Sequence, residues 1–90
     1  MERAEIIAKG KVQGVGFRNF VYSTAINLKL KGYTLNLKNG DVQTIVEGEK
    51  EVIEKLILFI KKGNTLSIVE NVEIIWNSPT GEFRDFVIRR

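Results

Sequence analysis

The stretch Gly10-Lys11-Val12-Gln13-Gly14-Val15-Gly16-Phe17-Arg18 decides the reading of this chain. Before it, Ala4 to Val12 reads as a strand, with Ile6, Ala8 and Val12 on one parity and Ile7 on the other. After it the period changes: Phe17, Phe20, Val21, Thr24, Ala25 and Leu28 recur at helical spacing. No Ser, Thr, Asp or Asn stands immediately before Phe17 to cap that helix. Its first N–H groups and the positive end of its dipole are therefore free, which makes the helix start an anion site. Arg18 places a cation where the dipole disfavours one, an arrangement relieved by an anion lying between them. Gly14 and Gly16 let the backbone turn sharply and approach a ligand, and successive N–H groups in such a turn form a concave nest. The guanidinium fork matches phosphoryl oxygens. On spacing alone two readings stand: a phosphoryl cradle, or a tight strand-to-helix turn followed by a solvated arginine.

Composition narrows the chemistry. Ninety residues, 43% of them hydrophobic, suffice for one domain, 1–90, with one modest core. The net charge of +3 suits a small anionic ligand but is too weak to argue for nucleic acid. With no cysteine and no histidine, there is no thiolate nucleophile, no Ser-His or Cys-His pair, and no Cys or His metal ligand. The Gly-Lys-Ser/Thr of a nucleotide-binding loop is also missing, as is an obvious carboxylate pair for magnesium. The charged start Met1-Glu2-Arg3-Ala4-Glu5 does not read as a signal peptide, and the longest apolar run, Leu56 to Ile60, is far short of a membrane span. The expectation is a soluble, cytoplasmic, monomeric protein without membrane or nucleic-acid partners.

The first helix reads on to Lys29 and Lys31, with Gly32 as its stop. Tyr33 to Leu37 alternates as a strand with Tyr33, Leu35 and Leu37 on one face and Thr34 and Asn36 on the other. Asn39-Gly40 signals a hairpin into Val42 to Glu47. Glu49 to Lys62 is a second helix, its buried stripe formed by Val52, Ile53, Leu56, Ile57 and Ile60, with either Leu58 or Phe59 partly exposed. Ile68 to Trp76 and Phe83 to Arg89 are the last strands. The order strand-helix-strand-strand-helix-strand plus a terminal strand predicts an α+β, ferredoxin-like sandwich. Two helices then cover one face of a mixed, mainly antiparallel sheet. Phe17, Phe20 and Tyr33 read as core, Trp76 as packing, and Lys61-Lys62 and Arg89-Arg90 as solvated charge.

Two blocks together resemble the acylphosphatase family. The first is Gly10-x-Val12-Gln13-Gly14-Val15-x-Phe17-Arg18. The second is Gly32-Tyr33-x-x-Asn36, the turn ending in Gly40, then Val42 and Gly48. The likeness runs through the whole chain, to Gly63 after the second helix and Phe86 in the last strand. It implies hydrolysis of the carboxyl–phosphate bond of acyl phosphates without metal or cofactor. By the same resemblance, the loop amides of Gln13, Gly14, Val15, Gly16, Phe17 and Arg18 bind phosphate, as does the Arg18 side chain, and Asn36 positions the attacking water. Phosphate or sulfate is then a product-like ligand. Leu35 stands where the family often has a basic residue, Thr34 where it usually has Val, and the loop Gly63 to Ser67 lacks the family's frequent prolines. These departures bear on substrate preference and rate more than on reaction type. The alternatives are a non-catalytic or regulatory anion-binding domain of the same kind and an RNA-recognition module. The second needs aromatic residues in the strands Ala4 to Val12 and Val42 to Glu47, which have none.

Overall fold

The computed structural model describes all residues from Met1 to Arg90. Chain order is β1 (Glu2–Lys11), α1 (Phe17–Asn27), β2 (Lys31–Asn36), β3 (Val42–Gly48), α2 (Lys50–Lys62), β4 (Ile68–Asn77) and β5 (Phe86–Ile88). The five strands form one sheet in the order β4-β1-β3-β2-β5. All neighbours are antiparallel except β2 and β5, which run parallel. This is the α+β, ferredoxin-like arrangement that the element order predicts. The terminal strand is shorter than expected, three residues in place of Phe83 to Arg89.

Both helices lie on one face. Helix α1 packs over β2 and β5, and α2 over β1, β3 and β4. The core between the layers is built from alternation in the sheet and helical spacing above it. Ala4, Ile6 and Ala8 of β1 face Phe17, Val21 and Ala25 of α1 and Ile53, Leu56, Ile57 and Ile60 of α2 in one buried cluster. Leu58 and Phe59 are both exposed, so the apolar face of α2 is wider than the sheet beneath it can cover.

Helix α1 stops earlier than expected, and not at Gly32. Lys29 takes the left-handed conformation (φ 58°). The Lys29 N–H donates to the Ile26 carbonyl and the Leu30 N–H to the Ala25 carbonyl, each at 3.0 Å. This is a Schellman closure with a lysine at the usual glycine position. It turns Leu30 inward, where it is buried, and that apolar contact holds a conformation lysine does not favour by itself. Gly32 serves a different end. It lies within β2 at φ 144°, where a Cβ would run into the Ile45 carbonyl oxygen of β3. The sheet closes there only around a residue without a side chain.

The second correction concerns which face of β2 is inside. The side turned toward the helices carries Gly32, Thr34 and Asn36, opposite Val46, Thr44 and Val42 of β3. Thr34 and Thr44 are buried, and their hydroxyls meet at 3.0 Å. Tyr33 and Leu35 lie on the other side of the sheet, half-buried. Tyr33 is therefore not core: the Phe83 ring meets it edge-on at 5.8 Å between centroids, and the Arg89 guanidinium lies 3.8 Å from its ring centre. Alternation defines two faces of a strand but does not say which is inside. Here the segment between β4 and β5 folds across the far side of the sheet and shelters the apolar face of β2.

That segment is pinned by Glu47, buried on the far side. Its carboxylate accepts from Arg3 Nη1 (2.8 Å), the N–H of Thr80 (2.8 Å) and the N–H of Gly81 (3.0 Å). Burial pushes this carboxyl up, but the donors from Thr80, Arg3 and Gly81 outweigh it and hold the pKa at about 2. No helix is long and apolar enough to cross a membrane.

Candidate active site

Between β1 and α1 the chain passes through Gly14 and Gly16, both left-handed at φ 74°. Gly16 is the N-cap of α1, with no side-chain cap and no acid in the first turn. The first helical bond runs from the Phe20 N–H to the Gly16 carbonyl at 3.1 Å, and the N–H groups of Gly14 through Asn19 have no protein acceptor. A Cβ at Gly14 would touch nothing within 4 Å, so packing does not require a glycine there. The backbone conformation does, and the missing side chain leaves the amides bare. The loop's free amides and the dipole of α1 thus point positive charge at one place.

Two side chains hold the loop. Gln13 Nε2 donates to the carbonyls of Leu37 (2.7 Å) and Asp41 (2.8 Å), which ties the loop to the β2–β3 turn. Asn64 Nδ2 donates to the Val15 carbonyl at 2.8 Å from the segment after α2. The turn is fixed in its own right. Leu37 N–H bonds the Asp41 carbonyl at 2.8 Å, and Lys9 Nζ meets the Asp41 carboxylate at 2.9 Å. That carboxylate raises the Lys9 pKa above its ordinary value through the hydrogen bond between them.

A cleft of about 220 Å³ opens in front of the loop. Val12, Gly14, Gly16, Phe17, Arg18, Asn19, Asn36, Ile88 and Arg90 line it. It is smaller than a pocket for a drug-sized or nucleotide ligand and suits a small one. Of the residues singled out in the sequence, Gly14, Gly16, Phe17, Arg18 and Asn36 come together here. The Gln13 side chain is turned to the β2–β3 turn as a brace. Val15 packs against the core, and neither it nor Gln13 lines the cleft.

Asn36 reaches the cleft because β2 presents it on the helix-facing side, level with Val42. Its Oδ1 is buried and has no protein hydrogen-bond partner. An unpaired buried acceptor is costly, so a donor from outside the protein is the natural complement. Arg18 Nη1 donates to the Arg89 carbonyl at 3.1 Å, which anchors its guanidinium at the cleft wall. Arg90, read as solvated charge, is exposed and also lines the cleft. No carboxylate side chain is among the lining residues, and nowhere does the fold gather three or more Asp and Glu into a metal-holding group.

Sequence reasoning missed Arg90 and Asn64. Arg90 gave no signal, because only the tertiary course of β5 brings the chain's last residues to the first loop. Asn64 offered a weak one: it follows Gly63, a helix-ending glycine, where a polar side chain commonly bonds nearby backbone. Here it bonds the backbone of a distant loop.

A small α+β sandwich with an uncapped helix start, bare loop amides and a cation at a carboxylate-free cleft has the chemistry to attract a small anion. Comparisons with known proteins identify the family. The family model described as Acylphosphatase matches residues 4–88. A protein of Dehalococcoides mccartyi named acylphosphatase is 40% identical over 90 residues, 99% of each chain. The crystal structure of an acylphosphatase from Bacillus subtilis superposes with a TM-score of 0.96 at 31% identity, with all of both chains covered. HypF of T. kodakarensis matches with a TM-score of 0.86 at 35% identity, over 100% of this chain but 12% of that one. The chain belongs to the acylphosphatase family.

Proposed function

We propose that this protein hydrolyses small acyl phosphates to carboxylate and phosphate, with no metal or cofactor. The observation that carries the proposal is the shared cleft. Residues with unclaimed amides at the start of α1, Arg18, and Asn36 with its buried, unpartnered Oδ1 all line it. Family membership supports the choice of reaction.

In this scheme the phosphoryl group sits against the amides from Gly14 to Arg18, with the Arg18 fork on its oxygens. Asn36 Oδ1 accepts a hydrogen bond from a water and directs its oxygen at phosphorus. The P–O bond to the carboxylate breaks as the new P–O bond forms, and the water's proton passes to a phosphoryl oxygen. The carboxylate is a good leaving group, so no general acid is required. Phosphoryl transfer depends chiefly on positioning and charge stabilisation, which a site without histidine or cysteine can supply. Inorganic phosphate and sulfate should bind the same cradle as product-like ligands.

The test is hydrolysis of benzoyl phosphate by the purified protein in the presence of a chelator, beside Arg18→Ala. Turnover undiminished by the chelator, and a loss of at least about a hundredfold in the variant with its circular dichroism unchanged, is expected. Full activity of Arg18→Ala would remove Arg18 from the scheme. A second reading, an anion-binding domain without turnover, draws on the likeness to a short part of a much longer protein. Saturable phosphate binding with no hydrolysis of any acyl phosphate would select it.

A further inference from the structure

Arg18 and the loop amides already answer the charge of one phosphoryl group, yet a second arginine, the exposed Arg90, lines the same cleft. Arg90 makes no hydrogen bond and no ion pair, and it borders the same cavity. Its approach is not that of a loose end. The Arg89 N–H donates to the Thr34 carbonyl at 2.8 Å, extending the parallel pairing of β5 with β2. The Arg89 guanidinium sits on the Tyr33 ring on the far face of the sheet. The Arg89 carbonyl accepts from Arg18. Three ties on one residue set the backbone from which Arg90 departs, on the side of the cleft formed by Ile88. Of the apolar lining residues, Ile88 is half-buried and offers surface to a short hydrocarbon segment, while Val12 and Phe17 are buried. No acidic side chain is present to neutralise either cation.

We propose that Arg90 is a specificity-determining residue that recognises acyl phosphates whose acyl group carries a second anion, such as a carboxylate. The phosphoryl end occupies the amide cradle and Arg18. The hydrocarbon part lies along Ile88. The distal carboxylate pairs with the Arg90 fork, a geometry guanidinium serves better than ammonium. The inference rests on the acyl phosphate reading and adds the class of acyl group to it.

The experiment uses two substrates of nearly equal shape, 3-carboxybenzoyl phosphate and its uncharged analogue 3-carbamoylbenzoyl phosphate. The ratio of their kcat/KM values is measured for the unaltered protein, Arg90→Met and Arg90→Lys. The unaltered protein should favour the charged substrate. Arg90→Met should lower that ratio on the order of tenfold through KM rather than kcat, and Arg90→Lys should restore part of it. The preference should also shrink as salt is raised, since the pair is near the surface. An unchanged ratio in Arg90→Met, with the uncharged substrate still hydrolysed, overturns this inference and leaves the acyl phosphate reading standing. An equal fall for both substrates also overturns it, because Arg90 would then act on the phosphoryl group or on the fold. Hydrolysis of neither substrate by the unaltered protein overturns both.

Discussion

Replacing Asn36 by valine should make the protein more stable and nearly inactive. The Asn36 Oδ1 is buried and unpaired within the protein, a condition that costs about 1–3 kcal/mol for a polar atom cut off from water. Valine is close in size, adds no polar atom and favours a strand. Its neighbour across the sheet, Val42, is buried and apolar. The net gain should be about 1 kcal/mol, which for a domain of this size raises the melting temperature by about 4–8 °C. The catalytic loss should be far larger. An oriented water contributes through positioning, and losing a single aligning or charge-stabilising group typically costs about a hundredfold to a thousandfold. Thermal unfolding and benzoyl phosphate hydrolysis on the same preparation read the two effects. A valine variant destabilised by more than about 1 kcal/mol would show that Asn36 is held by the fold and contributes to it. A stable variant with full activity would refute its role with the water.

Gln13→Leu should cost about 1–2 kcal/mol by removing two bonds, and should lower kcat/KM by about tenfold to a hundredfold as the loop loses its tie to the β2–β3 turn. Retained kcat/KM in a urea-destabilised variant would make Gln13 purely structural. Gly32→Ala should cost more than about 2 kcal/mol, because its Cβ strikes the Ile45 carbonyl across the sheet. A urea midpoint equal to that of the unaltered protein would refute that contact. Glu47 should govern acid stability. Its folded pKa of about 2 lies below the ordinary 4.5, so its stabilisation is complete above about pH 5 and fades as pH falls toward 2. Glu82, held low chiefly by the Thr80 hydroxyl and by Arg3, acts in the same sense. Glu47→Gln should lose about 2–3 kcal/mol at neutral pH and flatten the fall of the urea midpoint between pH 5 and 2. An unchanged slope there would mean that other carboxyls carry the acid sensitivity.

The element order was legible because each period is local: alternation in Ala4 to Ala8, helical spacing from Phe17 to Ala25, and Asn39-Gly40 between two strands. The end of α1 was not. Gly32 is the better stop by propensity, but Lys29 takes the left-handed turn because Leu30 needs burial and Gly32 is required by β3. Burial and a close backbone approach outweigh a local preference of about 1 kcal/mol.

The turn at Gly14 to Arg18 was equally plain from sequence as a glycine-rich turn into an uncapped helix, but on spacing alone it left a phosphoryl cradle and a plain strand-to-helix turn both standing. Its partners were less so. Asn36 was picked out by resemblance, but nothing in its own strand told that it faces inward. The apolar residues Tyr33 and Leu35 argued the reverse, and only the cover from Phe83 and Arg89 on the far face settles the matter. The tie from Gln13 to the turn, the tie from Asn64 to Val15 and the arrival of Arg90 in the cleft all join residues more than twenty positions apart. Such contacts depend on strand order and register, which local periodicity does not encode. The sequence by itself determined the element order, the core stripes of the two helices and the glycine-rich turn into an uncapped helix. The tertiary structure decided which face of β2 meets the helices, and so brought an asparagine and a second arginine to that loop.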